Sequence, residues 1–158
     1  MVGRLDIAHL SGVYFWEQTA IRRKQMADNG TVKIKVDLKT NILFMTFSGN
    51  IKDRQMAKAY TDVRFSAVDL RQDFVLIADF TTANLAHLSS VSTLQKIIKY
   101  LQSRGLGQVI RVIGEENLLL KQIPRISADF ASYAPVHVKS LEEAKTLAAN
   151  PQQPSEAP

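Results

Sequence analysis

From residue 31 onward the apolar residues switch repeatedly between two spacings, every second position and every third or fourth. Strand side chains repeat every two residues and helix side chains about every 3.6, so this switching calls for strands alternating with helices. "TVKIKVDL" sets Val32, Ile34, Val36 and Leu38 on one face and Lys33, Lys35 and Asp37 on the other, the pattern of a half-buried strand. Lys39-Thr40-Asn41 makes a turn, and "ILFMTF" returns as a strand apolar on both faces, so the two read as a hairpin leading into a sheet.

Asn50 is placed to cap a helix, with Asp53 near its first-turn amides. Met56, Ala59, Tyr60, Val63 and Ala67 then follow at helical spacing, opposite Lys52, Arg54, Lys58 and Asp62. "FVLIADF", 74–80, is a short run of strand formers suited to a buried central strand. A second helix is expected from about Ser89 to Ser103, with Val91, Leu94, Ile98 and Leu101 inward and Gly105 as terminator. "QVIRVIG", 108–114, supplies another strand. Residues 116–132 read as a helix interrupted at Pro124. "PVHV", 135–138, is a last strand, and Ser140 with Glu143 forms a capping box in "SLEEAKTLAA".

The expected fold class is therefore α/β: a single domain with a mixed, mainly parallel sheet of about five strands and about four helices, in the order ββαβαβαβα. Residues 31–149 would form it. Residues 1–30 are an N-terminal helical, aromatic extension, and residues 150–158, "NPQQPSEAP" after Ala149, a disordered tail. Tyr14, Phe15 and Trp16 are a heavy apolar load for an end segment, which should dock on the domain or join two copies as a homodimer.

The chain has 158 residues, enough for one core, and no apolar run near the roughly 20 residues that span a bilayer. It has no cysteine, which removes disulfides, thiolate metal sites and cysteine nucleophiles. With no secretory pattern at the N-terminus, a cytoplasmic location is expected. The net charge of +5 is spread along the chain, and its densest group, Arg22-Arg23-Lys24, points in three directions on a helix; this argues against a nucleic-acid partner.

With the element order in hand, the chain resembles the sulphate-transporter and anti-sigma-factor-antagonist (STAS) domains over residues 31 to about 149. The likeness rests on "MTFSGNI" before the first domain helix, "VLIADF" before the second, "SRGLGQVIRVIG", and the ending "VHVKSLEEAKTLA". It implies a regulatory module that binds protein partners without catalysis. Bacterial regulators of this family dock on kinase-like anti-sigma partners, and phosphorylation at the start of the second helix breaks the complex. The family's motif there is Asp-Ser, a small residue, then Gly. In the ungapped register His87 falls on the Asp, Leu88 on the acceptor and Ser90 on the Gly. A one-residue shift brings Ser89 to the acceptor position, still without the Asp and the Gly.

Two readings of Ser89, Ser90 and Ser92 therefore stand side by side. They are a partner-binding or phosphorylation site, since a helix N-terminus stabilises a phosphate, or they are a cap and its solvent-facing neighbours. Asp79, Thr81, Thr82, Asn84 and His87 would form the adjoining interaction surface, extended by Lys96 and Lys99. Asp79 also suits the plainer task of bonding loop amides where its strand ends.

No enzyme reading gathers support. His9, His87 and His137 lack metal-site spacing, no Gly-x-Ser-x-Gly elbow surrounds a serine, and Gly105 and Gly107 precede a strand where a nucleotide loop would follow one. Glu115 and Glu116 diverge on a helix and better serve its first turn. No catalytic residue, metal or cofactor is expected. The alternative function is a carrier or sensor of a small apolar or lipid ligand, in which Leu118, Leu119, Leu120, Ile123, Ile126 and Phe130 would cover a cavity.

Overall fold

The computed structural model describes residues 15–22, 29–84, 88–114 and 135–150. The expectations for residues 1–14 and 23–28, for His87, for the interrupted helix at 116–132 and for the tail from 151 fall outside these residues.

A short helix, α1, covers residues 15–22. Strands β1 (Thr31–Asp37) and β2 (Ile42–Asn50) form an antiparallel hairpin in which Val32, Ile34 and Val36 stand opposite Phe47, Met45 and Leu43. Asn41 closes the turn at φ 59°, a left-handed conformation that asparagine tolerates, and its side-chain oxygen accepts the N–H of Arg71 at 3.0 Å. Helix α2 (Asp53–Ser66) leads to β3 (Phe74–Asn84), and α3 (Leu88–Ser103) leads to β4 (Leu106–Val112). The chain ends in β5 (Val136–Val138) and α4 (Leu141–Ala149). The sheet order is β1-β2-β3-β4-β5, with every pair after the first parallel. This is the expected mixed, mainly parallel α/β sheet of a single domain.

Parallel strands return through helices, which must cover the sheet. One face of β2 and β3, with Leu43, Met45, Phe47, Leu76 and Phe80, packs against Met56, Ala59 and Val63 of α2 and Leu94, Ile97 and Leu101 of α3. The other face, with Ile42, Val75, Ile77 and Ile110, is covered by Ala144 and Ala148 of α4. Each large apolar side chain fully buried here contributes about 2 kcal/mol, whereas an exposed ion pair such as Lys58 with Asp62 is worth under about 1 kcal/mol. Packing of the two faces holds the fold.

Three local expectations shift. Leu38 is 52% exposed, because the chain leaves the strand at Asp37, whose carboxylate accepts the N–H groups of Lys39 at 3.0 Å and Thr40 at 3.4 Å. Asn50 does not cap α2: it ends β2, its carbonyl accepts the Gly30 N–H at 2.8 Å, and Lys52 precedes the helix instead. Phe15 and Trp16 are each 69% exposed, so they are not seated on the domain.

Candidate functional site

Strand β3 has one more residue than β2 between matched positions: Thr46 is paired with Asp79, but Ser48 is paired with Thr82. Such a bulge bends the strand and re-aims its side chains. Within it, Phe80 stacks on Phe47 with ring centroids 4.4 Å apart, anchoring the bend in the core. Beyond it, the end of β3 carries a row of polar groups.

Asp79 is half-buried, and its Oδ1 accepts both the Thr81 N–H at 3.0 Å and the Thr81 hydroxyl at 2.7 Å. It braces the bend, the plainer of the two tasks open to it. Thr82 donates its hydroxyl to the Phe47 carbonyl and to Ser48 Oγ, each at 3.3 Å, and remains exposed. Asn84, also exposed, donates from Nδ2 to Asn50 Oδ1 at 2.8 Å. Buried Ala83 between them pins this end to the core.

Helix α3 starts at Leu88, one residue earlier than expected, so the serines sit inside its first turns. Ser90 has no exposed surface. Its Oγ lies 3.3 Å from the Ile51 carbonyl, to which it donates, and 3.4 Å from Asp53 Oδ1. It joins the starts of α2 and α3, so neither the capping nor the solvent-facing role expected from sequence applies to it. Ser92, Lys96 and Lys99 are exposed and follow one another at helical spacing on the outer face of α3. The structure therefore brings Thr81, Thr82 and Asn84 to one end of the sheet and Ser92, Lys96 and Lys99 onto one helix stripe, and it withdraws Ser90 inward.

Arg111, unremarked within the strand pattern "QVIRVIG", is 7% exposed on β4 and stands in register with His137 of β5. Burial pushes the Arg111 guanidinium below its ordinary range. Partial burial first, and the Arg111 charge second, push the His137 imidazole down. Only the break in an apolar run marked Arg111 in the sequence. Among the described residues no three His, Asp or Glu side chains gather as a metal site, and no helix is long and apolar enough to cross a membrane.

A crystal structure of an anti-sigma factor antagonist from Mycobacterium paratuberculosis is similar, with a TM-score of 0.55 and 11% identity over 78% of this chain and 97% of that one. The Bacillus cell fate determinant SpoIIAA in its phosphorylated form superposes with a TM-score of 0.52 and 9% identity, over 73% of this chain and 97% of that one. No protein-family model matches the chain, and no curated protein matches it significantly. At these identities the likeness is one of fold, and function has to be argued from the site. The chain has the STAS-like fold of the anti-sigma factor antagonists.

Proposed function

We propose that this protein is a non-enzymatic, regulatory protein-interaction module that binds a protein partner through the end of β3 and the first turns and outer stripe of α3. The observation that carries this reading is the run of exposed polar and basic side chains, Thr81, Thr82, Asn84, Ser92, Lys96 and Lys99, on elements whose opposite sides are locked into the core. A rigid backing lets such a surface dock with little ordering cost. The STAS-like fold supports the reading, since one similar structure is of an anti-sigma factor antagonist and the other of a cell fate determinant in its phosphorylated form.

In this reading the phosphate acceptor is Ser89 or Ser92. Modification of Ser90 would force two negative charges into a closed contact beside Asp53. The exposed Phe15 and Trp16 of α1 support a second association, a homodimer through the N-terminal extension.

Native mass spectrometry of the protein purified gently from its own cells tests the regulatory reading. Phosphate mapping to Ser89 or Ser92, or a co-purified protein released by Lys96→Glu/Lys99→Glu, is expected. A chain carrying neither phosphate nor partner under every growth condition would sink it.

A further inference from the structure

Strand β1 pairs with β2 on one side, and among the described residues no strand pairs with it on the other. A seven-residue edge of this kind turns backbone N–H and C=O groups outward, ready to accept another strand. Its side chains are sorted by face. Lys33 and Lys35 are exposed on one, while Val32, Ile34 and Val36 pack against the α2 layer on the other and stay only half-buried, because no described strand lies beyond the edge. At its end Asp37 reverses the charge. Hydrogen bonds from Thr40, then from Lys39, hold its carboxyl below the usual carboxylate range. The lysine face continues past the strand into an open groove of about 880 Å³, lined by Lys35, Leu38, Lys39, Ile42, Phe44 and Lys145. Lys145 also meets Glu142 at 3.0 Å. Lys33, Lys35 and Lys39 thus make a positive patch along this side, interrupted at Asp37.

We propose that β1 is a docking edge for an extended segment of a partner protein in which acidic and apolar residues alternate, added to the sheet as a further strand. Backbone hydrogen bonds would supply affinity and the alternate side chains the specificity. Acidic side chains would stand beside Lys33 and Lys35, and apolar ones would complete the burial of Val32, Ile34 and Val36. Asp37 sets the register, since an acidic residue opposite it is repelled. A second copy fits poorly: two β1 strands paired antiparallel would oppose lysine to lysine, an arrangement that guards edges against self-association. This surface is separate from the α3 stripe, with α2 packed between β1 and α3, so it stands or falls independently of the function proposed above.

The test is fluorescence anisotropy of the full chain with two labelled heptapeptides, one alternating glutamate with valine and one alternating lysine with valine. The glutamate peptide is expected to bind and the lysine peptide not to. Lys33→Glu/Lys35→Glu should weaken the first by about tenfold and admit the second. If that variant fails to fold, Lys33→Gln/Lys35→Gln serves, with loss of the glutamate peptide expected. Amide exchange in residues 31–37 should slow on binding. No binding of the glutamate peptide, equal binding of both, wild-type affinity in the variants, or binding without protection of β1 would each overturn the proposal and leave the lysines as guards of the edge.

Discussion

Two contacts, to the Ile51 carbonyl and Asp53, decide what the serine cluster can do, because they take Ser90 out of it. Ser90→Ala should cost about 1 kcal/mol, the net worth of a buried hydrogen bond. Ser90→Asp should cost more, on the order of 3 kcal/mol, since it closes an unpaired charge in beside Asp53. Ser92→Asp, on the exposed face, should stay within about 0.5 kcal/mol of wild type. Urea unfolding of the three variants measures this ranking, and a Ser90→Asp protein as stable as wild type would refute the buried placement. His137 offers a second residue-scale test. Its folded pKa lies below the ordinary 6.5, so between the two values the unfolded chain binds more protons than the folded one. Its contribution is fully present above about pH 6.5 and is lost as pH falls through the folded value. The decline in Tm from neutral pH into that window should therefore be shallower in His137→Gln; parallel curves would show that its surroundings do not perturb it.

Among the elements, α4 is the one whose start is most local in origin. Ser140 Oγ accepts the Glu143 N–H at 3.2 Å, and Glu143 Oε2 reaches back to accept the Lys139 N–H at 3.1 Å. The reciprocal bond falls one residue earlier than a strict capping box, on the residue before the cap. Ser140→Ala should cost about 1 kcal/mol, while Ser140→Asp should be nearly neutral; equal losses in thermal unfolding would mean that tertiary packing alone holds the helix. Helix α2 shows the opposite case. Its expected cap, Asn50, is consumed by the sheet, bonded to Gly30 on one side and Asn84 on the other, so the helix waits until Asp53. The α2–α3 pair is closed at its far end by Arg64, which lies 5.9 Å from the ring centroids of both Tyr60 and Tyr100. Serine contacts at one end and an aromatic-cation cluster at the other hold α3 in place, which keeps its outer stripe steady for a partner.

At the scale of the whole molecule, helices cover both faces of the sheet, and among the described residues the end of β3, the outer side of α3, the β1 edge and the aromatic α1 are open. Trp16 is the only tryptophan, so its emission reports on the extension alone. Exposed at 69%, it should be readily quenched by acrylamide in dilute solution. Under the homodimer proposal that quenching falls as protein concentration rises, and Phe15→Ser/Trp16→Tyr yields a monomer by native mass spectrometry. Quenching independent of concentration, with a monomer throughout, would remove the homodimer.

Periodicity together with turn and cap residues determined the order of the described elements, the hairpin, the core sides of α2 and α3 and the Ser140 cap, because each is decided by residues within a few positions of one another. The STAS-like arrangement was legible through a resemblance, carried by that order together with "MTFSGNI", "VLIADF", "SRGLGQVIRVIG" and "VHVKSLEEAKTLA". What the tertiary structure decided were matters of partners distant in sequence. Asn50 lost its capping role to a strand 34 residues away, Ser90 was drawn inward by Ile51 and Asp53, and Arg111, a charged break in an apolar run, was buried. A polar side chain declares its type locally, but its task depends on which donor or acceptor the fold brings within reach, and no spacing along the chain encodes that meeting.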